Sequence, residues 1–192
     1  MKVDMSTYGM SDNSSSVTPP SCVGVVFGAE HEVYADSGFE EMRDQTFIPE
    51  PYVSDPTGAA PDRLEQTVAV FPSAEQAQAV LTSSERQLRV CTNGRVDQRT
   101  GQESGFSFIL GGVQRQGDLL TVSMASTIVM GPRAAYACQQ TLGGRANVVV
   151  GTRSCEVPAN ITFTIPTVTP DPGWATNDAA RLANAMLDKV KV

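Results

Sequence analysis

Cys22, Cys91, Cys138 and Cys155 are the residues of this chain whose type and spacing carry the clearest chemistry. No two of them form a CxxC pair, and an even number of widely spaced thiols reads as two structural disulfides. Such bonds persist outside the reducing cytosol, so the chain is expected to work extracytoplasmically. Free thiols are the alternative, since a buried Cys behaves as a small hydrophobe. A tetrahedral metal site needs converging ligands, and His31 is the single imidazole available. No metal or cofactor is assigned. Four cysteines allow three connectivities. Cys22–Cys91 with Cys138–Cys155 is preferred, and closing those loops contributes at most about 4 and about 3 kcal/mol on the chain-entropy model.

Catalytic constellations are sparse. A serine hydrolase needs a nucleophile, a base and an orienting group in one geometry. Only His31, between Glu30 and Glu32, could be the base. Gly105-Phe106-Ser107-Phe108-Ile109 lacks the second glycine of a nucleophile elbow. Glu40 and Glu41 are adjacent, and neighbours in a strand point to opposite faces. The pairs Gly111-Gly112 and Gly143-Gly144 lack the flanking pattern of a phosphate cradle. Asn160-Ile161-Thr162 matches a glycosylation sequon. No catalytic residue is assigned. Recognition is left to Tyr136 and Arg153, which flank the second pair of cysteines, and to Trp174, the single tryptophan. Trp174 either staples the last helix or caps a pocket.

Composition narrows the partners. A net charge of −7, without a local Lys/Arg cluster, repels phosphate backbones and anionic bilayers, so nucleic-acid binding is excluded. No run of about 18 apolar residues exists to span a membrane. No apolar stretch follows Met1-Lys2 as a signal peptide would require. An oxidised head is therefore expected to have lost a leader or anchor, with residues 1–4 partly vector-derived. That missing anchor would be its one link to a membrane.

These residues need elements to position them. Residues 1–20, rich in Ser, Thr, Gly and Pro, read as a flexible N-terminal tether, and 21–192 as the folded domain. Val23–Gly28 is a short helix or a buried strand. Strands are expected near 39–50 and over 66–71, with Pro49, Pro51 and Pro56 forcing a loop between them. Ser73, with Gln76 three residues on, caps a helix whose face is Ala77, Val80, Leu81, Ser84 and Leu88. Asn93-Gly94 stops it just beyond Cys91. A strand meander follows over 95–100, 105–114 and 119–130. A short helix is expected over 134–142, ended by Gly143-Gly144, then a buried strand over 146–152. Residues 156–173 form an extended excursion carrying Pro158, Pro166, Pro170 and Pro172. A last helix starts at Asn177 or Asp178, with Leu182, Ala183, Met186, Leu187 and Val190 as its apolar stripe.

In this order and spacing the pieces resemble the PknH-like extracellular sensor domains of mycobacterial and related actinobacterial receptor kinases and envelope lipoproteins. The resemblance runs from about Cys22 to Val192. It rests on Val33-Tyr34-Ala35-Asp36-Ser37-Gly38, on the strand leading into Pro72-Ser73-Ala74-Glu75-Gln76-Ala77, and on the helix that ends at Cys91. Tyr136-Ala137-Cys138-Gln139-Gln140-Thr141-Leu142, then Asn147-Val148-Val149-Val150 and Cys155, and the Ala/Leu/Met-rich terminal helix complete it. The family implies an α+β fold, an antiparallel sheet flanked by helices, with two disulfides in the preferred pairing and a solvent-exposed cleft. Leu88 stands where many members carry Trp, so an aromatic wall of that cleft is expected to be missing.

The expected function is a non-enzymatic extracytoplasmic sensor or binding domain, from a lipoprotein or a receptor head, whose cleft takes a small envelope-derived molecule or lipid. A scaffolding lipoprotein that binds another envelope protein is the alternative, and a hydrolase using His31 the third reading. Protein purified without reductant and then denatured should release no free thiol in a colorimetric titration. Four titratable thiols would remove the premise.

Overall fold

The computed structural model describes residues 1–49, 62–92, 94–102, 104–128, 135–157 and 171–191. The prolines from Pro51 to Pro56 and from Pro158 to Pro170, the helix stop at Asn93, and Asn160-Ile161-Thr162 lie outside them. Among the described residues ten strands form one antiparallel sheet. In chain order they are β1 (Lys2–Tyr8), β2 (Val17–Thr18), β3 (Glu41–Ile48), β4 (Arg63–Val70), β5 (Arg95–Arg99), β6 (Gly105–Leu110), β7 (Gln114–Gln116), β8 (Leu119–Ile128), β9 (Ala135–Arg145) and β10 (Val148–Glu156). Across the sheet they run β1-β3-β4-β10-β9-β8-β6-β5-β2, with β7 paired to β8. Four helices accompany them: α1 (Val23–Val26), α2 (His31–Tyr34), α3 (Ala74–Cys91) and α4 (Asp178–Leu187). The expected α+β class is thus the fold observed.

Alternation along the strands decides which side each residue covers. Met42, Ala69, Leu120, Leu142 and Val149 face α2 and α3 and bury Tyr34, Phe71, Ala77, Val80 and Leu81. Further along the same face, Val96, Phe108, Leu110, Val122 and Met124 pack on α1, Leu88 and all four cysteines. The opposite face carries Leu119 and Val150 against Ala183 and Leu187 of α4. Helix α3 begins as the sequence predicts: the Ser73 hydroxyl accepts from the Gln76 amide at 3.3 Å. Its buried residues Ala77, Val80, Leu81, Ser84, Leu88 and Cys91 repeat at three and four, the spacing of one helical face. The disulfides are Cys22–Cys91, which ties the start of α1 to the end of α3, and Cys138–Cys155, which joins directly opposed residues of β9 and β10.

Two expectations fail. Residues 2–8 are not tether but strand β1, paired from Lys2↔Ile48 to Tyr8↔Arg43 along β3. Backbone pairing needs no apolar side chains, so a polar composition did not preclude an edge strand. Residues 135–145 form strand β9 where a helix was expected. This segment lies between β8 and β10, and both neighbours supply backbone partners along its length. That tertiary pairing overrides a local preference of a few tenths of a kcal/mol per residue. Gly143-Gly144, expected to stop the helix, instead sit inside β9 on opposite faces. A Cβ on Gly143 would stand 3.0 Å from Leu187 Cδ1, and one on Gly144 would stand 2.6 Å from Leu81 Cδ1. Each glycine lets a helix approach the sheet closely.

Leu81 has no exposed surface, whereas Val90 on the outer face of α3 is 70% exposed. Leu81→Ala should lower unfolding stability by about 2–5 kcal/mol in a urea titration. Val90→Ala should change it by no more than about 0.5 kcal/mol.

Candidate functional site

The pairing register builds a cross-strand row on the α1 face. Arg63 of β4 opposes Cys155 of β10, which opposes Cys138 of β9, which opposes Met124 of β8. One step toward the other end of the strands, Tyr136 opposes Ser126, and Ser126 opposes Phe108 of β6. Phe106 lies two residues before Phe108 and so shares its face. α1 and the α3 terminus cover part of this surface. The remainder is an open cleft of about 310 Å³ whose lining includes Phe27, Arg63, Phe106, Tyr136 and Arg153, with the second disulfide at its base. Phe106 and Tyr136 meet edge to face with ring centres 5.9 Å apart, forming an aromatic wall.

Arg153 is the charged group most constrained by this setting. Its side chain is 12% exposed, and its nearest carboxylate oxygen, Glu65 Oε2, is 3.9 Å away. The guanidinium stands over the Phe108 ring at 6.0 Å, and Nη2 is 4.0 Å from Cys138 Sγ. Burial pushes its pKa down to about 10, Glu65 opposing and Arg63 reinforcing that shift, so it stays charged at neutral pH.

Behind Arg153 lies a buried polar belt. Glu65 accepts the Gly28 amide at 2.9 Å, and Asp44 accepts the Thr67 hydroxyl at 2.5 Å. Asn13 donates its backbone and side-chain N–H groups to Glu30, at 2.9 and 2.5 Å. Between belt and cleft is a cavity of about 10 Å³, bordered by Tyr34, Glu65, Gln140 and Arg153. That is space for about one water molecule. Burial raises the Asp44 pKa to about 6, and Glu65 adds to the shift. The Thr67 hydroxyl opposes it, Glu30 adds a little, and Arg63 opposes weakly. Glu30 is raised as well, chiefly by burial, and so is Glu156 on β10.

Two of the three recognition residues read from the sequence, Tyr136 and Arg153, line the same cleft. Trp174 does not. It closes a single helical turn (Pro172–Trp174) that packs on β8 and β9 ahead of α4. His31 is exposed on α2 and is not part of the cleft lining. Leu88 is buried in the core beside the cysteines, and the aromatic wall expected to be missing is supplied by Phe106 and Tyr136. Phe27, Arg63, Phe106 and Phe108 were not singled out from the sequence. The available signal was Phe106-Ser107-Phe108, two aromatics at period two that must share a face once the segment is a strand.

The arrangement defines a disulfide-braced α+β domain built on one broad antiparallel sheet, with an open arginine- and aromatic-lined cleft. The model of the PknH-like extracellular domain family matches residues 1–189, and the chain belongs to that family. The match begins at residue 1, so β1 falls within the family's region and not ahead of it. The crystal structure of the extracellular domain of PknH from Mycobacterium tuberculosis is similar in fold, with a TM-score of 0.71 at 21% identity. That match covers 98% of this chain and 83% of the other. A putative uncharacterised protein from Mycobacterium smegmatis matches at TM-score 0.40 and 13% identity, over 96% of this chain and 86% of that one. No curated protein matches the chain. Among the described residues no helix is long and apolar enough to cross a membrane.

Asp44 also sets a pH dependence. Folded, it keeps its proton up to about pH 6, whereas the ordinary value is 3.8. Between those values the native state binds more protons than the unfolded chain, so stability falls as pH rises through the window. Urea unfolding at pH steps from 4 to 7 should show that decline, with a flatter slope in Asp44→Asn. Glu30 and Glu156 leave a residual slope of the same sign. An Asp44→Asn slope equal to that of the wild type would refute the assignment.

Proposed function

We propose that this chain is a non-enzymatic extracytoplasmic sensor domain whose cleft receives a small envelope-derived molecule. The observation that carries the reading is the cleft itself: an aromatic wall and a constrained guanidinium on a rigid sheet, in a chain of an extracellular-domain family. Its size lies at the low end of the roughly 300–1,000 Å³ that ligand pockets occupy. Both disulfides belong to the core cluster next to it, so the walls are fixed before a ligand arrives. Attachment to the envelope, as a lipoprotein or as a receptor head, is part of the same proposal. The absence of chemistry is supported by the position of His31, which is exposed and outside the cleft.

One observation favours a second reading, an envelope interaction or scaffolding protein. The edge strand β1 and its continuation expose Val3, Met5, Tyr8 and Met10. An unpaired strand edge with apolar side chains is a surface that other chains can extend.

Native mass spectrometry of protein recovered from its own host should show a bound small molecule. Phe106→Ala and Tyr136→Ala, which remove the aromatic wall, should each reduce its occupancy several-fold while the fold is retained. Recovery of an empty cleft, or occupancy unaffected by both substitutions, would count against the reading.

A further inference from the structure

Resting on the binding role just proposed, we propose that the cleft takes an anion, a carboxylate or phosphate monoester, carried on a compact apolar body. The anion sits at Arg63 and Arg153, and the body lies against Phe27, Phe106 and Tyr136.

The charge balance of the cleft is the first ground. The chain is acidic overall, at −7, yet the charges presented to the cleft are arginines. Arg63 is exposed and Arg153 retains part of its side-chain surface. Among the described residues the one carboxylate in the lining is Asp62, which is turned into the protein: Oδ2 accepts the Val157 amide at 3.0 Å, and Oδ1 is buried without a hydrogen-bond partner. Glu65 is not in the lining, and its Oε1 is taken by the Gly28 amide. Among the described residues a cation would thus meet two guanidinium groups and no exposed carboxylate, since Asp62 Oδ1 and Glu65 Oε2, though without hydrogen-bond partners, are both buried.

The second ground is that Arg153 is held without being satisfied. Its Nε is buried and has no hydrogen-bond partner among the described residues, and the 3.9 Å from Nη1 to Glu65 is beyond hydrogen-bond distance. A planar guanidinium fork matches the two oxygens of a carboxylate or phosphate, which sulfur at 4.0 Å does not replace. The guanidinium carbon lies over the Phe108 ring at 6.0 Å, which keeps the charge beside the aromatic side chains in advance. The third ground is the apolar side. The Phe106–Tyr136 wall offers an aromatic surface, and about 310 Å³ suits a single ring or a short acyl chain better than a long one.

The test uses four probes of one chain length: octanoate, octyl phosphate, octanol and octylamine. Each is titrated into the intact protein, with affinity read by calorimetry and location by backbone amide shifts. Octanoate and octyl phosphate should shift the Phe106, Tyr136 and Arg153 amides and bind about tenfold or more tighter than octanol or octylamine, as charge-assisted hydrogen bonds imply. Arg63→Gln, an exposed substitution, should weaken the anions several-fold and leave octanol unchanged. Because Arg153→Gln alone strands Glu65, the double variant Arg153→Gln/Glu65→Gln is the second check, with the same expected loss. Vesicles of phosphatidylglycerol, set against phosphatidylcholine, separate the sources: binding there and not to monomers assigns the anion to a lipid headgroup, the reverse to a free molecule, and either supports the proposal. Octanol binding as tightly as octanoate at the same amides would overturn the anion and leave the binding role standing. No shift at those amides with any of the four probes, together with no binding to phosphatidylglycerol vesicles, would overturn both.

Discussion

The placement of every cleft residue depends on one constraint, the antiparallel pairing of β10 between β4 and β9. With that register, the period of two puts Arg153 and Cys155 on the face shared by Arg63, Glu65, Tyr136 and Cys138. A slip of one residue would send all of β10 to the α4 face and bring Val150 to the cleft side. The Cys138–Cys155 bond joins directly opposed residues and so is compatible with one register only. Thr152 holds the same register from the other side, donating its hydroxyl to the Ala179 carbonyl at 2.7 Å.

The sheet therefore grades along its α1–α3 face. At one end the core around Phe71 and Leu81 is dry and apolar. In the middle, Asp44, Glu65 and Thr67 are buried with Arg153 as their neighbouring cation. At the other end aromatic side chains open to solvent. The ion pairs on the molecule differ correspondingly in weight. Arg181–Asp178 and Arg89–Glu85 lie on exposed helix surfaces, where such pairs contribute about 0–1 kcal/mol. Arg153–Glu65 is largely buried, and removing one member of a buried pair costs about 3–5 kcal/mol because the other is left uncompensated. Its geometry is poor for stability alone. It holds a charge in place beside the cleft.

Sequence reading went far where a local signal matched the final structure. Helix α3 carried its cap at Ser73 and its stripe from Ala77 to Leu88, and α4 its stripe of small and apolar side chains. The four cysteines marked the pairing and, through it, the neighbourhood of Tyr136 and Arg153. Where partners come from distant segments, local signals failed. Strand β9 has the composition of a helix and is a strand because β8 and β10 flank it. Strand β1 buries none of its side chains and is paired to β3 alone. Asp44 was not singled out from the sequence, and it is the alternation Met42, Asp44, Thr46 in β3 that turns it inward.

The position of the two disulfides explains why the cleft lies where it does. Cys22–Cys91 clamps α1 and the end of α3 onto the sheet, while Cys138–Cys155 ties the strands beneath. All four cysteines join Leu88, Phe108 and Met124 in one buried cluster, so the covalent links fall inside the packing and not at its edge. Loop closure lowers the entropy of the unfolded chain by an amount worth about 3–4 kcal/mol per bond on the entropic model. The same bonds limit how far Phe27, at the end of α1, can move relative to Tyr136 on β9. A cleft whose walls are restrained loses less entropy when it is filled, and a greater share of the contact energy then appears as affinity. On the proposed binding role, bracing and recognition are thus served by the same four sulfurs.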